Sequence, residues 1–253
     1  MIGAIIQARM SSTRLPGKVL MDIAGQAMLW HVVNRVRQAT LVDDVLVATS
    51  EGAADDPVVA FCEQEGIPCF RGSEDDVLAR YYGAAKSMDA EVIVRITADC
   101  PLVDPGVVDD VIECYVEGDY DYVSNLNPPT FPDGLDTEVF SFDALVRARH
   151  EAKWRSEREH VTPYIRKHPE LFCIGNVTCG QDLSDMRWTV DEPQDLAFVR
   201  TVYEHLKSLS SGMAEVLDVL KQHPELMGIN VDIGRNEGYQ KSVREDGLVA
   251  PGQ

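Results

Sequence analysis

The amino-acid sequence predicts an α/β protein with a mostly parallel, mixed sheet flanked by helices. Short apolar runs alternate with amphipathic segments through the first half of the chain, as in right-handed βαβ units. Near residue 120 two strand-like segments follow each other with no helix between them. The length of 253 residues, 45% of them hydrophobic, suffices for one domain with a large core. We therefore predict a single domain over 1–229 that carries a small inserted β-rich lobe at about 120–180.

The predicted strands are short runs rich in apolar and β-branched residues. The run from Ile2 to Ile6 is representative, because five apolar residues suit a buried strand and are too few for a free-standing helix. Similar runs predict strands at 44–49, 68–70, 91–97, 120–124, 136–140, 172–177 and 186–190. In an open α/β sheet, ligands bind beyond the carboxyl ends of such strands.

The predicted helices are segments in which apolar residues recur at helical spacing, most clearly at 27–39. The same spacing predicts helices at 58–65, 73–88, 107–117, 142–153, 157–167, 194–206 and 213–222. Ser73 is expected to cap the helix that begins there, since its hydroxyl can accept a bond from a free backbone N–H. The segment 230–253 has little periodicity and is predicted to be an extended C-terminal tail or a partner-bound arm.

The chain is strongly acidic, with 23 Lys and Arg against 42 Asp and Glu and a formal net charge of −19. Non-specific nucleic-acid binding needs a basic surface, so we expect no nucleic-acid partner. No apolar run reaches the roughly 18 residues of a spanning helix, and no secretion signal is evident, so we expect no membrane insertion and a cytoplasmic protein. The six cysteines form no C-x-x-C pair and are expected to be free thiols.

The segment after the first predicted strand is basic in this acidic chain. It contains Arg9, Arg14 and Lys18, three hydroxyl residues at 11–13, and no acidic residue. Arg offers a planar fork of donors to phosphate oxygens, and Lys adds a compact positive charge. The segment therefore favours an oligophosphate cradle. A solvated surface loop is the alternative that composition alone leaves equally open.

Two aspartates follow other predicted strands. Asp99 comes after the strand at 91–97, and Asp191 comes directly after the strand at 186–190. Carboxylates at neighbouring strand ends suit Mg²⁺, which takes one or two of them and completes its shell with water and substrate phosphate. Taken singly, Asp99 is also typical of a turn and Asp191 of a helix N-cap. Their occurrence together with the basic loop favours the metal site.

Other sequence motifs exclude some enzyme classes. The chain has no G-x-x-x-x-G-K-[ST], no G-x-G-x-x-G and no G-x-S-x-G, so neither a P-loop NTPase, a dinucleotide-binding domain nor an α/β-hydrolase is indicated. His160 lies beside acidic residues and is either a base, a substrate ligand or a surface histidine with satisfied hydrogen bonds.

Several segments together resemble the sugar cytidylyltransferases, above all the spore-coat polysaccharide cytidylyltransferase-like family, which is related to the CMP-KDO and CMP-sialic acid synthetases. The resemblance covers about residues 1–208. It is carried, in order, by the segments 7–18, 71–82, 95–102, 132–140, 157–164 and 187–196. One departure concerns Cys100, which stands where CMP-KDO synthetases commonly have an acidic residue.

The resemblance implies a nucleotide-diphospho-sugar transferase fold, which is glycosyltransferase-A-like, and a set of site residues. The catalytic residues it implies are Arg9, Lys18 and Asp99. The nucleotide-binding residues it implies are Gln7, Ala8, Arg9, Ser12, Arg14, Lys18, Arg71, Ser73 and Thr97. The sugar-binding residues it implies are Asp136, Glu138, Arg158 and His160. The Mg²⁺ ligands it implies are Asp99 and Asp191.

These residues predict an enzyme that transfers a cytidylyl group from CTP to a sugar hydroxyl and releases pyrophosphate. The resemblance points to surface polysaccharide synthesis, to acidic sugars of the KDO or nonulosonic kind, and to a homodimer. Two alternatives stay open at this point. One is a glycosyltransferase that uses a ready-made nucleotide sugar on the same fold, and the other is a catalytically silent nucleotide-binding subunit of a glycan assembly complex.

Overall fold

The structure is a computed structural model that describes residues 1–235 and 237–249. Its strands are β1 (Ile2–Gln7), β2 (Asp22–Ile23), β3 (Gln26–Ala27), β4 (Asp44–Ser50), β5 (Cys69–Gly72), β6 (Val92–Thr97), β7 (Tyr122–Ser124), β8 (Glu138–Ser141) and β9 (Ile174–Asn176). Its α-helices are α1 (Met28–Val36), α2 (Asp56–Glu65), α3 (Val77–Ser87), α4 (Pro105–Glu117), α5 (Phe142–Glu151), α6 (Arg155–His160), α7 (Pro163–Lys167), α8 (Pro193–His205), α9 (Met213–Gln222) and α10 (Glu237–Arg244).

Seven strands form one mixed sheet in the order β5-β4-β1-β6-β8-β7-β9. The first four are mutually parallel, β8 is antiparallel to both β6 and β7, and β9 is parallel to β7. The predicted α/β fold with a mostly parallel sheet is confirmed. The stretch 120–180 differs from the predicted lobe, because its strands extend the central sheet rather than forming a sheet of their own.

Helices cover both faces of the sheet, and β1 shows how its residues divide between them. Ala4 and Ile6 pack into the apolar cluster on one face, whereas Ile5 packs into the cluster on the other. Because both faces are buried, the strand reads as a continuous apolar run instead of an alternating one. A third cluster, around Trp188 and helices α8 and α9, closes the end of the molecule beside the carboxyl ends of β1 and β6.

Two predicted elements differ in detail for identifiable reasons. The predicted helix at 157–167 is divided into α6 and α7, because Pro163 lacks an N–H and its ring would clash with the preceding turn. The predicted helix at 73–88 begins later, at Val77, and its N-cap is Asp76, whose carboxylate accepts a bond from the Ala79 N–H. The hydroxyl of Ser73 instead accepts a bond from the Asp76 N–H.

The predicted strand at 186–190 is not part of the sheet. Its backbone makes an isolated bridge between Arg187 and Asp133, and the Val190 N–H donates to the Asp99 carbonyl at 2.8 Å. The apolar pattern arises because Trp188 and Val190 are fully buried in the third cluster. The segment still places Asp191 next to the end of β6. The sequence predicted the same position, but on the assumption that 186–190 is a strand of the sheet.

The C-terminal residues also differ from the predicted extended tail. Residues 237–244 form α10, which contacts α6, and Val249 donates a backbone hydrogen bond to the Lys153 carbonyl. We call residues 230–235 and 237–249 the C-terminal strap. Residues 236 and 250–253, which belong to the predicted tail, lie outside the described residues.

Gly134 holds the loop that pairs with residues 186–188. Its φ is +112°, and a Cβ placed there would lie 2.6 Å from the Thr189 nitrogen and 2.7 Å from the Trp188 carbonyl carbon. We expect Gly134→Ala to destabilise the protein by about 3 kcal/mol, from backbone strain and overpacking combined. Urea unfolding measures the effect. The control is Gly180→Ala, where a Cβ would meet no atom within 4 Å. Equal stability of the two variants would contradict this account.

Candidate active site

A cavity of about 870 Å³ opens at the carboxyl ends of β1 and β6. Eight of the 23 lysines and arginines line it, together with nine of the 42 acidic residues, so its charge is far more balanced than that of the chain. It brings together most of the predicted site residues. Those that line it are Gln7, Arg9, Ser12, Arg14, Lys18, Thr97, Asp99, Asp136, Glu138, His160 and Asp191.

The basic loop is held in place at both of its ends. The Met10 N–H donates to the buried carboxylate of Asp55 at 2.7 Å, and the Gly17 N–H donates to the Met10 carbonyl at 2.9 Å. Gly17 has a φ of +74° and caps the short 3₁₀ turn that begins with Lys18. This left-handed position favours glycine. The loop therefore presents Lys18 in a fixed direction, and Asp55 is an anchor that the sequence analysis missed.

Lys18 lies between the two predicted metal ligands. Its Nζ is 2.9 Å from Oδ2 of Asp99 and 2.8 Å from Oδ1 of Asp191, and it donates to the Val190 carbonyl at 2.7 Å. Burial lowers the pKa of Lys18, but the two carboxylates outweigh it and hold the pKa above its ordinary value. Burial likewise raises the pKa of Asp99, yet Lys18 and Thr97 lower it to about 2. Lys18 and Asp99 are therefore both charged at neutral pH.

The surroundings of Asp99 fix its carboxylate. The Thr97 hydroxyl donates to Oδ1 at 2.5 Å, and the Cys100 thiol lies 3.7 Å from the same oxygen. Burial, and secondarily the charge of Asp99, raises the pKa of the Cys100 thiol, which keeps it neutral. A neutral donor thus stands where CMP-KDO synthetases commonly have an acidic residue.

Arg187 contacts three carboxylates of the site, and the sequence did not predict this role. Its guanidinium contacts Asp191 at 3.0 Å, Asp133 at 2.9 Å and Asp195 at 2.9 Å. The Asn230 side chain in turn donates to Asp195 at 2.9 Å. The four-residue spacing of Arg187, Asp191 and Asp195 is the sequence signal for these ion pairs. It is easily overlooked because residues 188–190 are predicted to form a strand.

The donor set at Asp99 and Asp191 fits Mg²⁺. Both carboxylates lie within 2.9 Å of one cationic nitrogen, so they already converge on a single positive charge. Among the described residues, no group of three or more His, Cys, Asp or Glu side chains could hold a metal ion. Two carboxylates with room for water and phosphate are the protein share that Mg²⁺ usually takes, unlike the closed cages of structural zinc.

Another carboxylate of the cavity, Glu138, lies at the start of β8. Glu138 pairs with Arg95, its cross-strand neighbour on β6, and accepts bonds from Tyr122 at 2.6 Å and Thr162 at 2.5 Å. Burial would raise the pKa of Glu138, but Arg95 and these donors hold it below its ordinary value. With both oxygens engaged, Glu138 positions Arg95 instead of presenting a free carboxylate.

Two further predicted sugar-binding residues, Asp136 and His160, also line the cavity. Burial raises the pKa of Asp136 to about 7 against the opposing charge of Arg235, whose Nη2 donates to it at 2.6 Å. Burial lowers the pKa of His160 to about 4, so its ring is neutral at pH 7. A neutral imidazole and a carboxyl that titrates near neutrality offer both donors and acceptors to hydroxyl groups.

Four predicted site residues lie outside the cavity lining. Ala8 is a buried residue of the loop, and its N–H donates to the Ala48 carbonyl at 3.1 Å. Arg71 donates to the carbonyls of Ser50 and Gly52, which places its guanidinium in the loop after β4. Ser73 contacts the start of α3, and Arg158 contacts its cap, so both stabilise the fold around the site.

Arg158 makes structural contacts outside the cavity lining, and its role in sugar binding stays a prediction. Its guanidinium is buried and donates to Asp76 at 2.8 and 2.5 Å and to the carbonyls of Arg149 and Ala152. We expect Arg158→Ala to destabilise the protein by about 3 kcal/mol, because it leaves a half-buried carboxylate without its partner. Urea unfolding and substrate kinetics measure the effect, with exposed Arg37→Ala as the control. An intact stability with a raised sugar KM would instead support the predicted role in sugar binding.

The chain is similar to a known protein family over most of its length. The chain matches the family model described as Cytidylyltransferase over residues 3–222. It is 34% identical to the spore coat polysaccharide biosynthesis protein SpsF of Bacillus subtilis over 229 residues, which cover 87% of this chain and 94% of that protein. It is 37% identical over 111 residues to a 3-deoxy-manno-octulosonate cytidylyltransferase of Geobacter metallireducens, with 44% of this chain and 43% of that protein covered.

Solved structures show the same fold. A cytidylyltransferase from Leptospira borgpetersenii superposes with a TM-score of 0.86 at 30% identity, covering 89% of this chain and 96% of that one. A CMP:2-keto-3-deoxy-manno-octonic acid synthetase complexed with CTP superposes with a TM-score of 0.62 at 18% identity, covering 80% of this chain and 98% of that one. Within residues 1–235 and 237–249, no helix has the length and apolar character needed to cross a bilayer.

Proposed function

The chain belongs to the cytidylyltransferase family, and from this membership we propose that it transfers a cytidylyl group from CTP to a sugar hydroxyl and releases pyrophosphate. One observation carries the proposal. The basic loop places Lys18 within 2.9 Å of two carboxylates that are suited to Mg²⁺, inside a cavity that also contains Arg9 and Arg14. A triphosphate with its metal ion has the charges that complement this arrangement.

Different residues of the cavity would bind the phosphate oxygens and the metal ion of the triphosphate. Arg9 is exposed at the cavity, and Arg14 lies half-buried beside Asp191 and Glu192 at 2.9 and 3.5 Å. With Lys18, they supply three cations to the phosphate oxygens, which offsets the field of a chain whose net charge is −19. Asp99 and Asp191 would hold Mg²⁺, which when bound neutralises phosphate charge and keeps the attacking and leaving oxygens in line.

The reaction needs no covalent enzyme intermediate. The sugar oxygen forms a bond to the α-phosphorus of CTP while the bond from that phosphorus to the β-phosphate oxygen breaks. Pyrophosphate leaves with the electron pair of the broken bond, and the proton of the hydroxyl passes to water. The residues contribute by positioning the two substrates and by stabilising the charge that develops on the phosphates.

The test is a substrate screen with the full-length protein. The protein is incubated with Mg²⁺, each nucleoside triphosphate and a panel of KDO, nonulosonic acids and neutral sugars, and pyrophosphate is measured. We expect release with CTP and at least one sugar. In a parallel assay with nucleotide sugars in place of the triphosphates, release of a free nucleoside diphosphate would indicate a glycosyltransferase instead. CTP binding with no turnover on any sugar would indicate a silent subunit, although the intact set of cations and aspartates argues against it.

Two further expectations from the sequence stay predictions. The chain is expected to form a homodimer, which sedimentation velocity measures directly. It is also expected to work in the cytoplasm and to serve surface polysaccharide synthesis, as the name of the Bacillus subtilis relative suggests. The acceptor would then be a free sugar that this reaction activates for that polysaccharide.

A further inference from the structure

The C-terminal strap lies beyond residue 222, where the match to the family model ends. It nevertheless forms one wall of the cavity, and its Glu237 contacts Arg14 of the basic loop at 3.6 Å. The lining residues that it supplies are Glu237, Gly238, Tyr239, Lys241, Ser242 and Glu245. A wall outside the matched region is a place where members of one family can differ in the substrate they accept.

The first part of the strap is tied to the reacting end of the cavity. Asn230 donates to the Arg187 carbonyl at 3.1 Å, and Arg187 donates to the Gly234 carbonyl at 3.3 Å. Arg235 donates to Asp136 at 2.6 Å and to the Phe131 carbonyl at 3.1 Å. The strap therefore holds the carboxyl of Asp136 in one position, through a residue that the sequence analysis placed in the tail.

The helix of the strap is held by polar contacts and not by an apolar core. None of the α10 residues in the described range 237–244 is buried. Ser242 Oγ is 3.0 Å from Nε2 of His160 and donates to Glu159 at 3.1 Å. The Tyr239 ring stands edge-on to the His160 ring with centroids 5.1 Å apart. The helix thus touches the neutral imidazole that faces the cavity.

We propose that the C-terminal strap is the acceptor-binding wall of this site and determines which sugar is used. Tyr239 and Ser242, with His160, contact the acceptor, and Arg235 is a positioning residue that acts through Asp136. An aromatic ring beside hydroxyl, imidazole and carboxyl groups suits a polyhydroxylated ring, which presents C–H faces and O–H edges together. The proposal rests on the proposed cytidylyl transfer and names the part of the chain that reads its second substrate.

Substitutions in α10 test the proposal, with the full-length protein and the sugar found active in the screen. We expect Tyr239→Ala and Ser242→Ala to raise the KM for the sugar by about tenfold or more, while the KM for CTP changes by less than about twofold. Isothermal titration of CTP should give the same affinity as the parent protein. The matched control is Gln240→Ala, an exposed neighbour on the same helix that does not line the cavity. It should leave both KM values unchanged.

Arg235 provides a test of positioning. Arg235→Ala should raise the sugar KM and leave the CTP KM unchanged, and Arg235→Lys should recover part of the loss because it restores a cation beside Asp136. The proposal about the strap would be overturned if Tyr239→Ala, Ser242→Ala and Arg235→Ala all released pyrophosphate with an unchanged KM for the sugar. The proposed cytidylyl transfer would then still stand. No pyrophosphate from the parent protein with any sugar would instead overturn the proposed function, and the strap's assignment with it.

Discussion

Replacing Asp99 with Asn is expected to lower kcat by about a thousandfold, while the affinity for CTP falls by less than about threefold. Asn has the shape of Asp and keeps an oxygen that can accept the Thr97 hydroxyl, which donates to Asp99 at 2.5 Å. What it removes is one of the two negative charges that converge on Lys18. Charge at the metal position matters most when the phosphates react, so the loss falls on the rate and not on nucleotide binding.

The measurement is steady-state pyrophosphate release together with isothermal titration of CTP. The control is Asp218→Asn, an exposed carboxylate on α9 that pairs only loosely with Lys221 at 3.4 Å. A thermal melt shows that both variants are folded. Retention of more than about a tenth of the parent kcat by Asp99→Asn would show that this carboxylate is a turn residue, the alternative that the sequence left open.

The same carboxylate gives a pH signature to stability. Its pKa is about 2 in the folded protein and 3.8 as an unperturbed group. A depressed folded pKa means that the unfolded chain binds the proton first, so stability from the Asp99–Lys18 pair is present above pH 3.8 and is lost as the pH falls toward 2. In Asp99→Asn this acid loss should be smaller, which urea unfolding between pH 5 and about 3 would detect.

Most of the fold follows from local pattern, and its exceptions have local causes. The apolar runs that became β1, β4 and β6 were identifiable because a strand buried on both faces needs no alternation. The segment 186–190 had the same composition but is buried for another reason, since Trp188 fills the third cluster instead of pairing in the sheet. Periodicity cannot separate these two kinds of burial, and so the strand assignment was wrong while the position of Asp191 was right.

The site was predictable where its chemistry is concentrated in the sequence and not where it is spread out. Lys18 and Arg14 stand in one short loop without acids, which favours an oligophosphate cradle although composition alone leaves a solvated surface loop equally open. Besides its local partners, Arg187 pairs with Asp133, and Arg235 pairs with Asp136. Both of these partners are more than fifty residues away, and no local pattern indicates such pairs. The polar C-terminal strap has weak apolar periodicity because α10 buries no side chain. The sequence therefore predicts an extended tail where the structure has a wall of the cavity.

Lys18→Ala is expected to lower kcat/KM for CTP by about a hundredfold and, at the same time, to tighten the binding of a divalent metal in the absence of nucleotide. Lys18 is bound to both Asp99 and Asp191, so its ammonium stands where the metal charge would be. Removing it leaves two carboxylates facing each other, with Arg14 and Arg187 still contacting Asp191. Without Lys18, the two carboxylates lack the ammonium that balances their charge in the parent protein, and a divalent metal would take its place.

Lys18→Ala is expected to weaken catalysis and to strengthen metal binding, whereas general damage to the site would weaken both. In the parent protein we expect metal and ammonium to compete for the same carboxylates, so the metal should bind tightly only when CTP draws Lys18 onto its phosphates. Electron paramagnetic resonance with Mn²⁺ measures free and bound metal with and without CTP, and exposed Lys221→Ala is the control. If metal binding without CTP were equal in Lys18→Ala and the parent, Lys18 would not be an internal counter-ion. If kcat/KM were also unchanged, the loop would be the solvated surface that composition alone allowed.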